Sequence, residues 1–139
     1  MDVLLLIGRI LFILATLSAG VMGHLANSGM MAGYAQSKGV PAARFVVLVT
    51  GVQIVAGSLM VALGIWPDLG ALLLALFLIP TAIIMHRFWG LEDQGQRMTE
   101  QTQFNKDLSL GGAALVMFAV WAYGGPVGYA IGDPLFNLG

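Results

Sequence analysis

Cysteine is missing from the 139-residue chain. Its absence excludes disulfides, thiolate nucleophiles, Cys-ligated zinc and iron–sulfur clusters. Redox chemistry would therefore need a bound cofactor or a partner. Charge is also scarce: charged residues make up 9% of the chain and hydrophobic residues 58%, with mean hydropathy +0.88. A soluble domain carries about 25% charged residues, so this chain has too few polar side chains to clothe a water-facing surface. The net charge of -1 gives no reason to expect nucleic-acid binding. There is no phosphate loop, Rossmann fingerprint, hydrolase motif or His-x-x-x-His pair. No carboxylate sits deep in an apolar run, as a proton relay or ion pathway normally requires. No activated nucleophile or carboxylate pair is visible either, so the sequence leaves open whether the chain is an enzyme.

What the chain has is long apolar runs, and about 20 such residues cross the hydrocarbon core as a helix. Four helices are expected, at about 3–26, 42–65, 69–89 and 104–123, with a polar loop over 90–103 and a Gly/Pro-rich tail over 124–139. The fold class is all-α, a four-helix transmembrane bundle forming one membrane domain over 1–139. A β-barrel is excluded because the runs are continuous rather than alternating. The first run lacks a basic flank and exceeds a signal-peptide core, so it reads as a retained helix. Arg9 is expected to snorkel to the headgroups. Pro80, which lacks an N–H, should kink or loosen the third helix. The tail is expected along the interface. Glycine and alanine recur through the spans and allow close helix contacts, whether within one chain or in a homodimer. Lys38, Arg44, Arg87, Arg97 and Lys106 all flank one membrane face, which the positive-inside rule puts in the cytoplasm.

The polar chemistry gathers at that same face. His24 ends the first span, Arg44 begins the second, His86 and Arg87 end the third, and Asn105, Lys106 and Asp107 begin the fourth. Gln53 lies about 14 Å deeper along the second helix at 1.5 Å per residue. The ligand-binding candidates are Gln53, His86, Arg87, Asn105, Lys106 and His24. Each also has a plainer role. His86 and Trp89 suit an interfacial belt, Arg87 and Lys106 can meet lipid phosphates, Asp107 can pair with Lys106, and Gln53 can make an interhelical hydrogen bond. Two histidines without a spacing motif give no metal site.

Several segments carry a family resemblance: Gly8-Arg9, the small-residue stretch around Gly20, Gly33-Tyr34, Gly39-Val40-Pro41, GVQIVAGSLMVALG, IPTAIIMHRFW and FNKDLSLGG. The chain resembles the DoxX family of small bacterial membrane proteins. That resemblance implies a four-helix bundle in the bacterial cytoplasmic (inner) membrane, crossed several times. It also implies an association with quinone-linked oxidoreductase systems. Quinone is then the expected ligand, and membrane lipids and a soluble or membrane oxidoreductase are the expected partners. A quinone needs an apolar slot with donors to its carbonyls, for which Gln53 and His86 are the candidates. The family commonly carries a lysine near Gly23-His24 and a glutamate where Gln53 stands; the replacements suit hydrogen bonding to a neutral ligand. The other reading is a non-enzymatic protein that binds lipid, carries a hydrophobic solute or docks a partner on Leu91–Phe104.

Overall fold

The structure is a computed structural model covering Met1–Gly139. Every regular element is helical: α1 (Asp2–Ser18), which runs on into a π-helical segment (Ala19–Ala26), α2 (Ser28–Ser37), α3 (Ala43–Leu63), α4 (Pro67–Met85) and α5 (Gln94–Ala122). Local signals set the ends. Gly64 closes α3 in the left-handed conformation, at φ 68°, where a side chain would be strained. Pro67 opens α4, where its missing N–H costs nothing. Asp93 caps α5 by accepting the Gln96 N–H at 2.7 Å.

Three helices are long and apolar enough to cross a membrane: Asp2–Ala26, Ala43–Leu63 and Pro67–Met85. The apolar half of α5 packs along α4, and one core joins all four long helices through Ile13, Ile54, Val61, Leu74, Leu78, Ala114 and Trp121. Large apolar side chains also face outward, as with Leu4, Ile7, Leu11 and Leu14 on α1, whereas the buried positions of that helix are Arg9, Ile13 and Thr16. This polarity suits a lipid surround, in which polar groups turn into the bundle. Helices α3 and α4 approach closely: a Cβ on Gly70 would lie 2.7 Å from Cβ of Met60.

Several expectations need correction. The third helix stops at Met85, not Trp89, and α5 begins at Gln94 rather than near 104, so most of the expected 90–103 loop is helical. Polarity there marks the solvent-exposed first turns of a helix that starts behind an Asp cap. The short helix α2 was not expected. The tail is held against the bundle. It folds back over the end of the bundle where α1 and α4 begin. There Ile131 N–H donates to Leu63 O at 2.9 Å and Leu138 N–H to Ala122 O at 2.8 Å. The fully buried Asp68 accepts the N–H groups of Leu135 and Phe136 at 2.8 and 2.6 Å. Arg9 does not snorkel. It is 2% exposed, because the folded tail covers it and the Tyr129 carbonyl accepts its Nη2.

Candidate functional site

At the opposite end of the bundle the helices enclose a cavity of about 430 Å³. Along α3 it reaches from Val46 to Ile54, about 12 Å by the helical rise. Its walls are mostly apolar, with His24, Thr50, Gln53, Thr81, His86, Lys106 and Asp107 among the polar residues lining it.

The deep part depends on Gly51. A Cβ there would sit 2.8 Å from Cβ of His24 and 2.8 Å from Cδ2 of Leu25, so only glycine lets the π segment come this close to α3. His24 then lies against α3, with Nδ1 3.0 Å from Thr50 Oγ1 and 3.2 Å from Val47 O. The Phe77 ring meets it edge-on at 5.3 Å between centroids. One turn along α3, Gln53 donates from Nε2 to Leu73 O of α4 at 2.8 Å. Pro80 stands inside α4 on the same wall; lacking an N–H, it leaves the Leu76 carbonyl without its helical partner.

Charged side chains form a chain across the outer part. Lys38 Nζ lies 2.7 Å from Glu100 Oε1, and Tyr34 OH donates to the same oxygen at 3.0 Å. His86 Nδ1 lies 2.8 Å from Glu100 Oε2, and His86 Nε2 lies 3.4 Å from Asp107 Oδ2. Lys106 Nζ lies 3.4 Å from Asp107 Oδ1. A carboxylate at each ring nitrogen favours the imidazolium. The Asp107 hydrogen bond, with help from Glu100, raises the His86 pKa above its ordinary value against the effect of burial. Burial alone would raise Glu100, but bonds from Lys38, His86 and Tyr34 outweigh it and hold this carboxyl below its ordinary range. Burial and the Glu100 carboxylate push the Tyr34 hydroxyl up to about 12, so it remains a donor. The network is thus a continuous chain of hydrogen bonds and ion pairs. Both nitrogens of His86 are occupied, and they point in opposite directions.

Four sequence candidates, His24, Gln53, His86 and Lys106, line the cavity. The other two do not. Arg87 is exposed and donates to Lys38 O at 2.9 Å and Ile84 O at 3.2 Å, fastening α2 to the end of α4. Asn105 is exposed on α5. Sequence reasoning missed Tyr34, Thr50 and Glu100 as members of the site. The signal for Glu100 was its spacing of seven from Asp107, which places both on one helical face. It counted only once residues 94–103 were read as helix.

A model of the DoxX family matches residues 4–87, which hold α1 through α4 with His24, Gln53 and His86; Glu100, Lys106 and Asp107 lie beyond the matched part. No curated protein and no solved structure matches the chain. With more than half of its length matched and its all-helical, apolar fold, the chain belongs to the DoxX family of membrane proteins.

Proposed function

We propose that the cavity binds a membrane-soluble quinone, and that the chain is the ligand-holding membrane subunit of a quinone-linked oxidoreductase system in the bacterial cytoplasmic membrane, which it crosses several times. The observation that carries this reading is the cavity itself. Its volume of about 430 Å³ falls within the roughly 300–1,000 Å³ of small-molecule sites, which are typically apolar with a few placed polar groups. An aromatic ring suits the apolar walls, and polar groups stand at both ends. At the outer end His86 and Lys106 line the cavity beside Asp107, with Glu100 and Lys38 behind His86. The Lys106 ammonium there favours negative charge developing on a ring as it is reduced. The chain has no cysteine to hold an iron–sulfur cluster, so an oxidoreductase partner exchanges electrons with the ring.

The test is mass spectrometry of small molecules retained through mild-detergent purification. A quinone should accompany the wild-type chain and be depleted at least about tenfold in the Gln53→Leu, His86→Ala double variant. Bulk lipid alone in both samples overturns the assignment.

A second reading is favoured by α5, whose first two turns are polar and exposed, with Gln94, Arg97 and Gln101 facing solvent. This extension suits a docking surface for a soluble partner. Replacing those three side chains with alanine should then release a co-purifying protein while leaving any bound quinone in place; retention of that protein counts against docking.

A further inference from the structure

The polar groups in the deep half of the cavity are biased towards acceptors. His24 Nδ1 faces the Val47 carbonyl, which can only accept. It also faces Thr50 Oγ1, whose single hydrogen is directed at Val46 O at 2.7 Å. Both neighbours thus present acceptors to Nδ1, which favours the neutral tautomer with its proton there. Nε2 then carries a lone pair, and it makes no hydrogen bond within the protein. Gln53 is oriented by the same logic. The Leu73 carbonyl can only accept, so the amide nitrogen must face it, leaving Oε1 without a partner. Leu76, whose carbonyl loses its helical partner at Pro80, also lines the cavity. Against these, Gln53 keeps one spare N–H and Thr81 one hydroxyl.

We infer that the deep half of the cavity selects the reduced, hydroxyl-bearing form of its ligand, a hydroquinone or a phenol of like shape, with His24 Nε2 accepting the hydroxyl hydrogen. The inference rests on the quinone reading above and adds the redox state that the site holds. A hydroquinone brings an O–H to His24, whereas the oxidised ring brings a carbonyl and sets lone pair against lone pair. A buried acceptor left unmatched loses its hydration without return. His24 is therefore the specificity-determining residue, and Thr50 and Val47 are positioning residues that hold its tautomer.

Calorimetric titration of the purified protein in detergent, without oxygen, with a short-chain ubiquinone and its ubiquinol tests the inference. The reduced form should bind roughly tenfold tighter, the effect of one hydrogen bond. His24→Phe keeps the ring packing against Phe77 and should erase the preference while leaving affinity for the oxidised form within about twofold. Nitrogen-15 spectra of histidine-labelled wild-type protein supply a readout that needs no variant. They should show a protonated Nδ1 and a bare Nε2 whose signal moves with ubiquinol but not with ubiquinone. Equal affinity for the two forms, tighter binding of the oxidised form, or a protonated Nε2 in the free protein overturns the inference and leaves the quinone reading standing. Binding of neither form overturns both.

Discussion

His86 is the residue on which the outer part of the site turns. It faces Glu100 and Asp107 directly, with Tyr34, Lys38 and Lys106 behind those carboxylates. Its folded pKa is raised above the ordinary 6.5. Its contribution to stability is thus complete below that value and is lost as pH rises through the folded pKa. Glu100 has the opposite sign. Its folded pKa is lowered from the ordinary 4.5, so its contribution is present above 4.5 and is lost as pH falls through the folded value. Stability in detergent should therefore be greatest between the two ordinary values and decline on either side. Thermal unfolding against pH should show this. His86→Phe should remove the alkaline decline and Glu100→Gln the acid one; an unchanged alkaline limb in His86→Phe would mean that another group titrates there.

Glycine decides what the elements can do around this site. The π segment reaches α3 only because residue 51 has no side chain. Gly51→Ala should force apart His24, Leu25 and α3, at a cost of roughly 1–3 kcal/mol for overpacking, and should weaken ligand binding more than a surface substitution of equal cost. Thermal unfolding and ligand retention, measured on the same preparation, separate the two effects. Helices α1, α3 and α4 were legible because each is a continuous apolar run bounded by Gly or Pro signals, as at Gly64 and Pro67. The π segment was not legible, because nothing in AGVMGHLA distinguishes it from an ordinary helix in composition. The start of α5 was misread because its first turns carry no apolar face, so Gln94–Gln103 resembled a loop. Of the candidate site, His24, Gln53, His86 and Lys106 were legible as rare polar residues at one end of the bundle. Glu100 and Tyr34 were not, since their place depends on α5 and α2.

Over the whole molecule the two ends have opposite designs: one is sealed by the tail, and the other is open to chemistry. Asp68 is the clasp of the sealed end, since its carboxylate accepts two backbone N–H groups of the tail and the N–H of Leu69. Asp68→Ala should cost roughly 2–3 kcal/mol by removing the charged acceptor that holds the Leu135 and Phe136 N–H groups, and limited proteolysis should then cut within residues 124–139. The ends also differ in charge. With Arg9 buried beneath the tail, the other five of the six Lys and Arg residues all belong to the cavity end. Basic groups near span ends are retained on the cytoplasmic side, so the cavity end should face the cytoplasm and the tail the outside. Because the chain has no cysteine, a single introduced thiol reports its side of the membrane unambiguously. In intact cells a membrane-impermeant maleimide should label Asn137→Cys at the exposed tail and spare Gln94→Cys at the exposed start of α5, with both labelled after lysis. The reverse pattern would place the cavity outside and remove any cytoplasmic partner from reach of its charged network.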